Sequence, residues 1–270
     1  MKHEKLIKLL NENQLVALYE SETQGQMAKT FQCSLMWDGA NSSRSFIKFF
    51  NNCDSLGLVN EVTGYILAKH SGLPVPDKAG LIKINLENYP ELPDCNPVAF
   101  VMTAAPGTTP VSYYNDEAME YCKRLIDLVA QWAKISETLA FDDWLANEDR
   151  NIGNLLVTNS GDVTLIDHSN LPITLNWNAS QLDPNHSAVS KLAKAIGYFK
   201  STPFPVKAKI SQSAQKHQTY LQHASTELEF WWEAFLSNDS ARLKALKKFV
   251  EIRALNGHSR ISGHYGMLVV

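Results

Sequence analysis

Asn147–His168 reads NEDRNIGNLLVTNSGDVTLIDH. Asp149 precedes Asn154 by five positions, and two short β-prone runs, 155–158 and 163–167, flank the turn residues Asn159-Ser160-Gly161-Asp162. Such a hairpin delivers Asp167 after the apolar run Val163 to Ile166 and folds it back beside the Asp149 loop. Phosphoryl transfer calls for this set of groups. One carboxylate stands near the attacking hydroxyl, and an amide oxygen with a second carboxylate holds magnesium against the β- and γ-phosphates. Asp and Asn are also favoured in turns whatever the chemistry, so each alone reads equally well as a cap or loop closure. The spacing of Asp149, Asn154 and Asp167 together points to a site.

Two neighbours carry less. Arg150 has a guanidinium fork that suits carboxylate or phosphate oxygens, so it either steadies the loop, pairs with phosphate or is a solvated surface residue. His168 has no second histidine at metal-ligand spacing, and its expected role is that of a packed, hydrogen-bonded residue.

Upstream, residues 14–20 alternate weakly, 27–37 have the β-branched and aromatic content of a strand and, after a turn at Asp38-Gly39, 44–50 read as the next strand, together predicting an antiparallel meander. Lys48 lies in the last of these, in Phe46-Ile47-Lys48-Phe49-Phe50, and points opposite to Ile47 and Phe49. Leu58, Val62, Ile66 and Leu67 recur at helical spacing within Leu56 to His70, and Gly72 and Pro74 supply the stop. That helix carries Glu61, thirteen residues after Lys48, placed to pair with it and aim its ammonium at the α- and β-phosphates. Strands follow at 79–85 and 97–103. The last ends on Val101, Met102 and Thr103, where backbone groups are expected to bind adenine, and Ala104–Pro110 reads as a linker between lobes. The loop Ser21-Glu22-Thr23-Gln24-Gly25-Gln26 occupies the place of a phosphate-covering loop, with Gly25 as its one glycine. Neither GxGxxG nor GxxxxGK[ST] occurs.

Beyond the linker the pattern is helical, at about 115–134, 136–147, 186–200, 207–235 and 239–255, interrupted by the hairpin. The N-terminal MKHEKLIKLLNENQ reads as a short amphipathic helix, and Phe230-Trp231-Trp232 as core packing. The fold class is α+β, with an antiparallel β-rich lobe over 1–104 and a helical lobe over 105–270 containing the inserted hairpin.

Composition sets outer bounds. The 270 residues are 44% hydrophobic and 20% charged, as expected of a globular chain with its own apolar cores. A formal charge of -3 gives no overall field for nucleic acid. Cys33, Cys53, Cys95 and Cys122 form no CxxC pair and read as reduced thiols. No segment approaches the ~20 apolar residues of a membrane span, and the expected location is cytoplasmic. HExxH and GxSxG, the marks of metalloprotease and hydrolase chemistry, do not occur.

With these residues in view, the chain resembles the HipA-like kinases and, more distantly, the phosphatidylinositol 3/4-kinases. FDDWLANEDRNIGNLLV (141–157) and LIDHSNL (165–171) look like that family's catalytic loop and metal-binding strand, and NEVTGYILAKHSGLPVP (60–76) like its Glu-bearing helix and the following turn. The resemblance implies a two-lobed protein-kinase-like fold, ATP and Mg2+ as cofactors, and transfer to a protein Ser/Thr hydroxyl. It implies that Asp149 is the catalytic carboxylate, that Asn154 and Asp167 hold magnesium, and that Lys48 grips the α/β-phosphates with Glu61 orienting it. An antitoxin-like partner and self-inhibition by phosphorylation at Ser21 or Thr23, or at the nearby Ser42, Ser43 or Ser45, would follow the family's habit. The chain is shorter than full-length HipA toxins and has Asp-His where typical protein kinases have Asp-Phe-Gly. The alternatives are a lipid or small-molecule hydroxyl as acceptor, or a catalytically silent kinase-like scaffold.

Overall fold

The computed structural model describes residues 5–21, 28–39, 41–51, 56–90, 92, 95–110, 119–199 and 202–267. The strands are β1 (Ile7–Leu10), β2 (Leu15–Ser21), β3 (Lys29–Met36), β4 (Ser42–Phe49), β5 (Ala79–Lys83) and β6 (Val98–Thr103); β3 alternates apolar and polar residues, whereas β5 and β6 are near-continuous apolar runs buried on both faces. They form one sheet in the order β1-β5-β6-β4-β3-β2. The β2–β3–β4 meander is antiparallel as expected. β1 pairs in parallel with β5, which makes the sheet mixed rather than antiparallel throughout.

That strand replaces the amphipathic helix expected at the N-terminus. Ile7 to Leu10 stand opposite Ala79 to Ile82 one for one, with Ile7 and Leu10 buried. The backbone N–H groups of Leu6 and Ile7 donate to the Glu227 carboxylate at 3.0 Å each. A short isolated helix is marginal in water, whereas the sheet edge and this carboxylate satisfy the same backbone groups inside the fold.

The period of two assigns side chains to the two faces of the sheet. Phe31, Cys33, Leu35, Ile47, Phe49, Ile82 and Val101 enclose a small core on one side. Ala79, Leu81, Phe100 and Met102 face the other side and join the main core against α1 (Gly57–His70). α1 is buried almost all round, its polar residues Asn60, Glu61 and Thr63 included. Its outer side packs on α6 (His217–Leu236), where the Trp232 indole N–H donates to Thr63 Oγ1 at 2.7 Å.

The remaining helices are α2 (Met119–Gln131), α3 (Ile135–Trp144), α4 (Lys191–Phe199), α5 (Phe204–Ala214), α7 (Ser240–Leu255) and α8 (Gly257–His264). The single helix expected over 207–235 is two, broken at Gln215-Lys216. α5 packs on α3 and α8, whereas α6 packs on α1 and α7, so two directions of packing override one continuous periodicity. α4 begins at Lys191 rather than 186, and α8 has no counterpart among the expected helices.

The hairpin β7 (Leu155–Val157) and β8 (Val163–Leu165) forms where expected. The 104–110 segment is more than a linker, because Thr108 and Val157 exchange backbone hydrogen bonds at 3.1 and 2.9 Å. Gly107, at φ +106°, makes that approach possible, since a Cβ there would lie 2.9 Å from the Val157 backbone. The main core runs without a break from Ile7 and Phe100 to Trp144 and Phe249. Trp231 and Trp232 belong to it, while Phe230 is exposed. Cys33, Cys95 and Cys122 are buried thiols, and Cys53 lies outside the described residues. Among the described residues no helix is long and apolar enough to cross a membrane.

Candidate active site

Lys48 leaves β4 on the α1 side of the sheet, opposite to Ile47 and Phe49 as its alternation requires, and only 6% of it is exposed. Its Nζ donates to Glu61 Oε1 at 2.5 Å and to Asp167 Oδ1 at 3.0 Å. Glu61 Oε2 accepts the backbone N–H of His168 at 3.1 Å, so strand, helix and the segment after the hairpin meet on two carboxylates. β8 ends at Leu165, two residues earlier than expected. Asp167 lies beyond it at φ +58°, a left-handed conformation that Asp tolerates better than most residues. Ser169 donates its hydroxyl (2.7 Å) and its N–H (3.3 Å) to Asp167 Oδ1.

Burial works against every charge here, and the partners decide the outcome. For Asp167, burial favours the neutral acid, but Lys48 and Ser169 outweigh it and hold the carboxyl well below its ordinary range. For Lys48, burial disfavours the ammonium, but Asp167 and Glu61 reverse this and raise it above its usual value. Burial pushes the Glu61 carboxyl up, opposed by Lys48 and the His168 N–H.

The Asp149 loop is built on buried polar contacts. α3 ends at Trp144, Ala146 turns the chain at φ +49°, and the Asn147 N–H returns to Asp142 O at 2.8 Å. Arg150 is fully buried under the loop, with Nε donating to Asp142 Oδ1 (3.2 Å) and Nη1 to Ile166 O (2.8 Å). Of its three readings the loop-steadying one holds, and it is no surface residue. Burial pushes the Asp142 carboxyl up to about 6 against the pull of Arg150. Arg253 of α7, also fully buried, donates to the carbonyls of Trp144, Asp143, Pro184 and His186 and fixes the end of α3 from behind.

Asn151 Oδ1 accepts the Gly153 N–H (2.7 Å), its Nδ2 donates to Asp149 O (2.8 Å), and its N–H donates to Asn154 Oδ1 (3.0 Å). This closes a 3-10 turn over Ile152–Asn154 and brings Asn154 Nδ2 to 3.5 Å from Asp167 Oδ2. Asp149 faces outward, its side chain 33% exposed. Asn170 Nδ2 donates to its Oδ2 at 2.9 Å, and Lys191 Nζ to its Oδ1 at 2.5 Å. Neither partner was anticipated. The available signal for Lys191 was Ser190-Lys191 at a helix start, and Asn170 stands within the quoted LIDHSNL.

His168 is packed as expected, but the hydrogen bonding expected of it fails at its buried Nε2, which has no partner among the described residues. It lies edge-on to Phe141 at 6.2 Å, and α1 approaches so closely that a Cβ on Gly64 would fall 2.4 Å from it. Burial, then Arg150 and Lys48, keep its imidazole neutral, well below its ordinary pKa.

The donor set suits a hard cation. Magnesium takes one or two carboxylates with phosphate oxygens and waters, and the adjacent side chains of Asp167 and Asn154 offer a carboxylate and an amide. As placed, the amide turns its NH2 toward Asp167 and its oxygen to the Asn151 N–H, so ligation through Oδ1 requires it to turn over. Among the described residues no three His, Cys, Asp or Glu side chains gather as a metal cluster.

The other expected residues fall as follows. Gly25 and Thr23 lie outside the described residues, and Ser21 ends β2. Met102 is buried at the end of β6. The Thr103 N–H donates to Lys78 O and the Ala104 N–H to Arg44 O, so the sheet already uses the donors at that edge. Ser42 and Ser43 are exposed on β4, while Ser45 is buried and accepts the Trp37 indole N–H at 3.0 Å. No protein-family model and no curated protein matches the chain.

Proposed function

We propose that the protein is an ATP- and magnesium-dependent kinase of HipA-like type, with a protein-kinase-like arrangement of sheet and helices, transferring the γ-phosphoryl group to a protein Ser/Thr hydroxyl. The observation that carries this reading is the convergence on Asp167. A lysine from a central strand bonds both it and a helix glutamate, and an asparagine from the Asp149 loop reaches its other oxygen.

Each part has work to do in that reaction. Lys48, held by Glu61, donates to the α/β-phosphate oxygens and offsets their charge. Asn154 and Asp167 would hold magnesium, which when bound neutralises charge on the β- and γ-phosphates. Asp149, on the open side, accepts the proton of the acceptor hydroxyl as its oxygen attacks phosphorus. The buried framework of Arg150 and Arg253 keeps the loop in one position, so that little reorganisation remains for the reaction step.

Incubation with γ-labelled ATP and magnesium tests it. Labelled phosphate is expected on protein or released to water, and Asp149→Asn and Asp167→Ala should each lower the rate by about 10²–10⁴-fold, the range of a general acid–base contribution. Equal rates in wild type and both variants would show the assignment to be wrong.

A further inference from the structure

Lys191 sits where the fold has little use for a lysine. It opens α4 directly after Ser190, whose Oγ accepts the Ala193 N–H at 3.2 Å. A cation at a helix N-terminus opposes the helix dipole, and the side chain is 61% exposed, so its ion pair adds little to stability. Yet the start of α4 is fixed to the Asp149 loop on both sides of the aspartate. The Lys191 N–H donates to Glu148 O (2.9 Å) and the Leu192 N–H to Arg150 O (2.6 Å). The ammonium then reaches Asp149 Oδ1 at 2.5 Å. The two other cations of the site are engaged in buried contacts, Lys48 between Glu61 and Asp167 and Arg150 beneath the loop.

We propose that Lys191 is a further catalytic residue, an ammonium that contacts the γ-phosphoryl group of ATP while its ion pair holds Asp149 toward the acceptor. This rests on the kinase reading above. A carboxylate that takes a hydroxyl proton lies ~2.6–3.2 Å from the hydroxyl oxygen. In a near-attack arrangement that oxygen stands ~3–3.5 Å from phosphorus. An exposed ammonium on the same carboxylate, with two N–H donors beyond the one given to Asp149, is therefore within a rotamer change of a γ-oxygen. In the step itself the acceptor oxygen forms its bond to phosphorus, and the bond to the β,γ-bridging oxygen breaks with its electron pair leaving on ADP. The hydroxyl proton passes to Asp149. Lys191 stays protonated throughout and donates to an equatorial oxygen, which gains charge in the transition state.

Calorimetry with magnesium and either ADP or a non-hydrolysable ATP analogue, combined with release of labelled phosphate from ATP, tests this on the full chain. Lys191→Met should weaken the analogue, leave ADP unchanged and lower the turnover rate, each affected quantity by about 10–100-fold, as for loss of a charge-assisted hydrogen bond. Lys191→Arg should recover part of both, and Lys191→Gln should repeat the Met result. Equal weakening of ADP and the analogue would overturn the proposal in favour of a structural role. Unchanged binding and turnover in Lys191→Met and Lys191→Gln, with Asp149→Asn inactive, would overturn it while the kinase reading stands. A wild type that neither binds nucleotide nor releases phosphate would overturn both.

Discussion

The two halves of the candidate site differ in how they hold their lysines, Lys48 with 8% of its side chain exposed and Lys191 with 61%. Lys48, Glu61 and Asp167 meet where strand, helix and post-hairpin segment are packed together, with Lys48 and Glu61 almost wholly out of water and the Asp167 side chain 37% exposed. Asp149, Asn170 and Lys191 meet at the surface, where the carboxylate is one-third exposed and the ammonium more so. In the first half each group is fixed by several partners, and removing one leaves another stranded at low dielectric. In the second the groups are fixed mainly through their backbones, and solvent screens the pair. On the kinase reading proposed above, the division would serve two tasks: gripping the part of a nucleotide that does not react, and admitting an acceptor to the part that does.

The contrast can be broken most directly at Lys48. Lys48→Met leaves Glu61 buried beside Asp167 without its cation, and should cost about 3–5 kcal/mol in urea unfolding. A loss below ~1 kcal/mol would mean that the buried half is wetter than its geometry indicates.

Burial should also govern charge away from the site. His217 stacks on Trp144 at 4.5 Å, just before the loop, and burial, then Arg260, depress its pKa to about 3. A depressed folded pKa means that the unfolded chain binds the proton more readily. The stability this histidine contributes is thus complete above pH 6.5 and is lost as pH falls toward 3. Between pH 7.5 and 5.0, wild type should lose about 2 kcal/mol relative to His217→Phe in urea unfolding at each pH. Parallel curves for the two proteins would place that imidazole in contact with water.

The smallest effect is expected at the open half. Lys191→Met should change unfolding free energy by less than about 1 kcal/mol, as for an exposed pair. A larger loss would erase the distinction between the halves.

The residues that sequence reading found are those with local signatures. Asp149, Asn154 and Asp167 are joined by one loop and hairpin, and Lys48 and Glu61 follow from strand alternation and the next helix. What escaped it depends on distant contacts. β1 is a strand because β5, some seventy residues on, pairs with it, and nothing in IKLL announces that partner. Arg150 is buried because Asp142 and Ile166 O surround it, although Asp-Arg-Asn reads equally well as surface. Lys191 joins the site only because α4 is fixed to the Asp149 loop, forty residues earlier.

The Glu227 carboxylate that receives the N–H groups of Leu6 and Ile7, at the start of β1, has a consequence for synthesis. It lies on α6, as does the indole that closes over α1, so an edge and a helix of the sheet layer wait for residues 221 and 169 positions later. At ~5–20 residues per second on the ribosome, this N-terminal half spends roughly ten seconds or more with apolar surface uncovered. A single late helix, α6, completes what the first residues began.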